Sequence, residues 1–411
     1  MSARRRRCTS RLGRNKLAAA DLSEPWVVGL DCVQARQQVP VGSAVRPGGS
    51  RLAQDEWRDT VIKAGGPDMR AVQIVEIGGP LQLREVTLPE PGPGEIRVKV
   101  QAAGICHSDA HYRDGAASVA FLPITPGHEV AGVVDKLGAA VVGVAVGDRV
   151  ALHYLFTCGQ CDYCVRGLEQ FCTAGRMLGK HVNGGYAEYV VAPARNAVPI
   201  AATVSAAEAA IMMCSSATAF YALRKARMAA GDRVAVFGVG GLGMSALQLA
   251  RAGGAAEVFA VDVDADKLKA AAAYGAQPID ATDGAADVQL RARTHGRGVD
   301  VALEFAGLPV TQQQAVAALA VHGRVALAGI SRAPFAVDSY ATVINREAEI
   351  IGVSDHLHGE LTTLMEFARH GLLDLASVIA ERLPLDAAQI NRRLDALAGF
   401  HGRTRSVIVL E

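Results

Sequence analysis

The sequence has almost no net charge: 42 Lys and Arg stand against 41 Asp and Glu, so nothing in the overall balance calls for an acidic partner such as nucleic acid. It has no run approaching the roughly 18 uncharged apolar residues needed to cross a bilayer, which predicts a soluble chain with no membrane partner. No internal repeat shows at solenoid or propeller periods. Disorder as the main state is also excluded, because half of the 411 residues are apolar and only 20% are charged, enough to fill two cores.

Charge that is missing overall is present locally. Residues 1–68 carry a net +5 and residues 69–411 a net −4. Both tryptophans, Trp26 and Trp57, lie in the leader, and all eleven histidines lie beyond it. The leader opens on Arg4 to Arg7, Arg11, Arg14 and Lys16 before its first acid, Asp21, a bias shared by organellar transit peptides and nucleic-acid tails. A secretory signal would need about 7–15 apolar residues after the arginines, and residues 17–22 are too few and include Asp21. Two further readings account for the leader better: a disordered extension, or sequence upstream of a true start at Met69. A strand-like run begins there, and 343 residues remain for two ordinary domains. Without a secretion signal the expected compartment is the cytoplasm.

From Met69 to about Ala192 short strands alternate with Gly and Pro, as in the period-two run 95–100, and an all-β core is expected. After about Ser205 Ala-rich helical stretches separate apolar runs such as Arg233–Phe237, 257–261, 299–303 and 323–327. That alternation predicts right-handed βαβ units and a parallel sheet. The C-terminal stretch is mixed, with helical patterns at 360–370 and 383–400 and a last strand at 405–409.

Four of the eight cysteines fall within fifteen residues: Cys158, Cys161, Cys164 and Cys172. Two-residue spacers let successive thiolates turn towards one ion about 2.3 Å away, and with four protein donors such a zinc is structural. Two disulfides are the competing reading, disfavoured in a reducing compartment and by the pairing geometry of cysteines three apart. Cys106, His128 and Cys214 are weak signals singly, and Cys214 alone reads as a small buried hydrophobe. Together they supply two thiolates and one imidazole, the ligand set of a catalytic zinc with its fourth position open.

The apolar run 234–237 leads into Gly238, Gly240, Gly241, Leu242 and Gly243 and then a helical stretch, 244–252. A second strand ends at Asp262, nineteen residues past Gly243, which is the context of a dinucleotide site. Gly238 permits the turn, Gly240 lets backbone approach a diphosphate, and Gly243 allows close packing of helix on strand. The helix N-terminus then faces the diphosphate with unpaired amides. Asp262 accepts hydrogen bonds from ribose hydroxyls and repels a 2′-phosphate, favouring NAD over NADP, a preference that Lys267 nearby could soften.

On these residues the chain resembles the zinc-dependent alcohol dehydrogenases of the medium-chain dehydrogenase/reductase superfamily. The carriers are the runs 104–109 and 127–132, the four-cysteine lobe, 184–189, Cys214 and 238–243. They span essentially all of 69–411 and none of 1–68. The resemblance implies a GroES-like catalytic domain over 69–214, with the structural zinc lobe at 155–175, and a Rossmann domain, a doubly wound parallel sheet, over 215–352. Residues 353–411 return to the catalytic domain. It implies two zinc ions, with Cys106, His128 and Cys214 on the catalytic one and Cys158, Cys161, Cys164 and Cys172 on the structural one. His107 and Arg405 are implied diphosphate contacts.

The implied chemistry is reversible oxidation of primary or secondary alcohols. Zinc brings bound water from a pKa of 15.7 to about 7, and a similar effect on an alcohol yields the alkoxide that gives up hydride to nicotinamide. Ser108 takes the proton and passes it through the nicotinamide ribose to His111 and water. Asp109 orients His128 through its other ring nitrogen. Glu129 has two readings, a carboxylate that helps ligand exchange at zinc or a partner of a structural arginine. Tyr154 is a candidate for the substrate pocket. Alternatives are a polyol, threonine or aldehyde-adduct dehydrogenase of the same superfamily, or a non-enzymatic zinc and nucleotide-binding relative. A homodimer or homotetramer is expected.

Overall fold

Short apolar strands flanked by helical stretches bury both faces, and Arg233–Phe237 lies at the centre of such a sheet. In the computed structural model, which describes residues 67–398 and 405–411, six parallel strands lie side by side. Their order is Gln277–Asp280, Glu257–Asp262, Arg233–Phe237, Val299–Glu304, Leu319–Leu327, Glu349–Gly352. The chain winds one way from Arg233–Phe237 and the other way from Val299–Glu304, so a crevice opens between these two strands at their C-terminal ends. Gly241–Ala252, Ala265–Ala273, Ala286–Arg293 and Pro309–Ala317 are the connecting helices. This is the doubly wound sheet expected from the sequence. Apart from its last two residues, the basic leader lies outside the described residues.

A seven-stranded sheet forms the other half. Glu95–Ile105 pairs with Glu129–Leu137 and Tyr189–Pro193, and Arg149–Leu152 and Ala197–Pro199 extend the sheet on one side. On the other side the C-terminal strands Arg405–Val409 and Ile379–Leu383 complete it, with Val407 opposite Gly104 and Ile408 opposite Ala103. The last strand of the chain therefore pairs with Glu95–Ile105, a strand of the first β-rich segment. A two-stranded ribbon, Leu155–Phe156 with Arg176–Met177, flanks the four-cysteine segment.

The expected all-β character of 69–192 is corrected by the helix His107–Arg113, which follows the strand Glu95–Ile105 almost directly. Two turns are too few for a 3.6-residue period to stand out in the sequence. The helix starts where it does because the Asp109 carboxylate accepts a hydrogen bond from the Cys106 amide at 3.0 Å. The nucleotide helix likewise begins at Gly241, three residues before the expected start. Gly238 reverses the chain at φ +86°, and Gly243 must stay bare because a Cβ there would run into the Gly238 carbonyl.

Ala206–Lys225 forms one continuous 20-residue helical stretch, long and apolar enough by composition to cross a membrane, yet 83% of its most apolar window is buried inside the protein. Ser205 and Glu208 close its N-terminus with a reciprocal capping box. It packs first on the strands Glu95–Ile105 and Glu129–Leu137 and then on Gly241–Ala252. One core therefore runs from Ala102 and Ala131 through Ile211 and Met213 to Val234 and Val236, and fixes the two sheets against each other.

Ile408, fully buried on the last strand, tests how far this return supports the fold. Ile408→Ala is expected to lower unfolding free energy by about 3 kcal/mol in a denaturant titration, the usual cost of a core Ile-to-Ala cavity.

Candidate active site

Three segments deliver one cage. The strand Glu95–Ile105 ends beside Cys106, His128 immediately precedes the strand Glu129–Leu137, and Cys214 sits in the π-helical turn Met212–Ser216 of the long helix. The irregular turn interrupts the regular ladder, and the Ser215 hydroxyl donates to the Ile211 carbonyl at 2.8 Å. One ligand atom each from Cys106, His128, Glu129 and Cys214 lies within 4.8 Å of the others, and all four residues are buried. Two sulfurs, an imidazole and a carboxylate in a dry site are donors suited to zinc. Electrostatics agree. Hydrogen bonding from Cys214 and from His128 holds the Cys106 thiol well below its usual range, while the bond to Cys106, together with burial, pushes Cys214 up. A dication held between the two sulfurs would favour ionisation of both.

Asp109 ties the cage to its surroundings. Fully buried, it accepts from the Cys106 amide at 3.0 Å, the Gly127 amide at 3.3 Å and the Tyr186 hydroxyl at 2.9 Å. Its Oδ1 stands 3.4 Å from His128 Nδ1, which makes no hydrogen bond. Tyr186 belongs to a motif the sequence singles out, but nothing in its spacing announces this contact.

Glu129 stands between the cage and an arginine. Its carboxylate stands among the cage atoms and also pairs with the Arg405 guanidinium, the two side chains 0% and 5% exposed. Burial raises the carboxyl above its ordinary range against the pull of Arg405. Gly104 makes room for it, since a Cβ there would collide with the Glu129 carboxylate. Arg405 reaches further: a Cβ on Gly241 would strike its side chain, and its Nε is buried without a hydrogen-bond partner. One arginine thus touches the cage carboxylate and the first turn of the nucleotide helix.

His107, Ser108 and His111 share the helix beside the cage. The Ser108 hydroxyl lies 3.8 Å from the Cys106 sulfur, within hydrogen-bonding reach. His107 and His111 stack with ring centroids 4.7 Å apart, and burial together with His111 lowers the His107 pKa. Tyr154 meets His128 edge to face at 5.1 Å and donates to Asp355 at 2.8 Å. Behind Tyr154 lie His153, His356 and His358, which no sequence pattern brings together.

At the crevice, the Gly238 amide donates to the Val261 carbonyl, Gly240 caps the helix, and Gly241, Leu242 and Gly243 form its first turn. Asp262 ends the neighbouring strand with its carboxylate already held by the amides of Val239 at 2.9 Å, Val263 at 2.8 Å and Asp264 at 3.1 Å. Lys267 Nζ lies 3.9 Å from Asp264.

In the cysteine lobe Cys158 Sγ lies 3.5 Å from Cys172 Sγ and 3.9 Å from Cys164 Sγ, and one sulfur from each of the four cysteines lies within 4.8 Å of the rest. Disulfide sulfurs stand about 2.05 Å apart, whereas a tetrahedron with bonds of about 2.3 Å has edges of about 3.8 Å. Amides of Cys158 and Cys161 each point at a cage sulfur at 3.3 Å. The spacing fits zinc.

A doubly wound sheet with a glycine turn, joined to a β-sheet carrying a buried two-thiol, one-imidazole cage, defines the class: a nucleotide-dependent metalloenzyme of dehydrogenase type. Residues 92–202 match the alcohol dehydrogenase GroES-like domain and residues 241–369 the zinc-binding dehydrogenase family. An NAD-dependent alcohol dehydrogenase of Sulfurisphaera tokodaii is 33% identical over 351 residues, 83% of this chain and all of that one. A crystal structure of an NAD-dependent alcohol dehydrogenase superposes with a TM-score of 0.77 at 33% identity, covering 84% of this chain and 100% of the other. A thermostable alcohol dehydrogenase of Pyrobaculum aerophilum with cobalt and zinc bound gives 0.73 at 27% identity, with coverage of 84% and 100%. The chain belongs to the zinc-binding dehydrogenases of the medium-chain dehydrogenase/reductase superfamily.

The lobe is tested by Cys158→Ser, which is expected to remove one zinc per chain by elemental analysis and lower Tm by about 5 °C or more. An unchanged melting curve with one zinc missing contradicts a structural role.

Proposed function

We propose that the chain is an NAD-dependent zinc alcohol dehydrogenase that interconverts primary or secondary alcohols with aldehydes or ketones. The buried convergence of Cys106, His128 and Cys214 carries this reading, because three soft donors with a carboxylate beside them form a site for a Lewis acid next to a dinucleotide crevice. Those three residues hold the catalytic zinc, which when bound supplies the Lewis acidity that makes a hydroxyl acidic near neutral pH. Cys158, Cys161, Cys164 and Cys172 hold the structural ion.

The chain's own groups do the rest. Asp109 fixes Cys106 and His128 relative to each other. Ser108 Oγ takes the substrate hydroxyl proton, and His111, one turn along the same helix, hands it to water. Glu129, neutralised by Arg405, stands ready beside the cage for ligand exchange. Amides at Gly240 to Gly243, with His107 and Arg405, bind the diphosphate, and Asp262 and Lys267 face the adenosine ribose. With three amides already on its carboxylate, Asp262 is held in position for that contact.

Residues 69–214 and 353–411 form the catalytic domain and 215–352 the nucleotide domain. The cytoplasm suits six described cysteines, none of which is in a disulfide. Glu349–Gly352, an edge strand with Ile350 41% exposed, supports a homodimer or homotetramer built through that edge.

Cys106→Ala is expected to abolish NADH formation at 340 nm and remove one zinc per chain while the far-UV circular dichroism stays native; retained turnover refutes the mechanism. Asp262→Gly is expected to raise the NADP-to-NAD ratio of kcat/KM tenfold or more, and an unchanged ratio removes the ribose role.

A further inference from the structure

Three histidines outside the proposed machinery form a cluster. His153 and His356 have ring centroids 5.0 Å apart, and His153 and His358 5.3 Å. His153 is 1% exposed and His356 not at all. Nε2 of His153, both ring nitrogens of His356 and Nε2 of His358 are buried without a hydrogen-bond partner. Buried polar atoms nearly always find partners in folded proteins, so four orphaned nitrogens in one cluster require an explanation.

Their position supplies one. Tyr154 touches His128 edge to face at 5.1 Å and touches His356 in the same way at 5.1 Å. Its hydroxyl is committed to Asp355, so the ring is fixed and cannot serve the orphaned nitrogens. The cluster therefore begins one aromatic ring away from a residue of the catalytic cage.

The chemistry narrows the ligand. Among the described residues, the groups whose donor atoms converge within 4.8 Å are the two cysteine-containing cages, and the three imidazoles are not among them, so they do not form a third metal site. Burial first, and then the neighbouring rings of His356 and His358, lower His153; burial, with His128 and His358 nearby, pushes His356 down to about 3; burial also lowers His358. Neutral imidazoles offer one donor and one acceptor each, which does not match a carboxylate or phosphate. An alkyl chain leaves every nitrogen unpaired. A hydroxyl both donates and accepts, as the imidazoles do.

We propose that His153, His356 and His358 form a polar wall of the substrate site that selects alcohols bearing a further hydroxyl, small vicinal diols and polyols, over plain alkanols. The inference rests on the alcohol dehydrogenase reading and specifies its substrate class. A site built to hydrogen-bond a substrate hydroxyl rejects the analogue that lacks it far more strongly than an apolar pocket rejects a missing methylene.

The test uses zinc-loaded enzyme with NAD and compares kcat/KM for 1,2-propanediol and glycerol with that for 1-propanol and 2-propanol. The diols are expected to exceed the matched alkanols by about tenfold or more. His356→Phe is expected to lower kcat/KM for 1,2-propanediol about tenfold more than for 2-propanol, chiefly through KM. His356→Gln, which keeps a donor and an acceptor, is expected to retain the preference, and equal loss in both variants overturns the proposal. Wild-type enzyme that oxidises alkanols as well as diols overturns the proposal and leaves the alcohol dehydrogenase reading standing. No turnover of any alcohol overturns both. If His356→Phe does not fold, the wild-type ratio and His356→Gln decide.

Discussion

The pairing of Arg405 with Glu129 joins parts of the molecule that are otherwise separate. A carboxylate and a guanidinium this deeply buried survive only together, because either alone would carry an uncompensated charge in a low-dielectric interior, at a cost of about 3–5 kcal/mol. Glu129 begins a strand next to the cage, Arg405 begins the last strand of the chain, and the arginine side chain leans on the first turn of the nucleotide helix. Metal cage, C-terminal return and cofactor crevice are therefore set relative to one another by one ion pair. Gly104 and Gly241 are small because this pair has to pass them.

Asp109 has the same standing on the other side of the cage. A carboxylate that accepts from two amides and a phenol cannot rotate, so the backbone at Cys106 and Gly127, and with it the cage sulfur and imidazole, is held before any ion arrives. Preorganisation of this kind gives an exchanging ligand a fixed place to bind. The long helix from Ala206 to Lys225 adds the third donor through its π turn, and one core packs against the helix on both sides of that turn.

Much of this was legible in the chain. The four-cysteine spacing, the strand–glycine–helix texture and the terminal strand 405–409 are local patterns, and local patterns follow from backbone periodicity and donor reach. The short helix at His107 was not legible, because two turns leave too little periodicity. Nor was the true start of the nucleotide helix, since glycines at 241 and 243 argue against helix by propensity while close packing demands them. The histidines at 153, 356 and 358 stay invisible for a different reason: His153 is far along the chain from the other two, and no period or spacing records a contact made across that distance.

The order of residues alone determined the donor types, the glycine turn with its acidic partner, and the alternation that makes one half a β-sheet and the other a doubly wound one. Those properties depend on neighbours within a few turns or strands. Tertiary structure decided that the Glu129 carboxylate stands among the cage atoms and pairs with Arg405, that Asp109 is closed off by Tyr186, that an apolar 20-residue helix lies in a protein core, and that unpaired imidazoles stand one ring from the cage. Each of these depends on burial, and burial is fixed only when distant segments pack and remove water from between them.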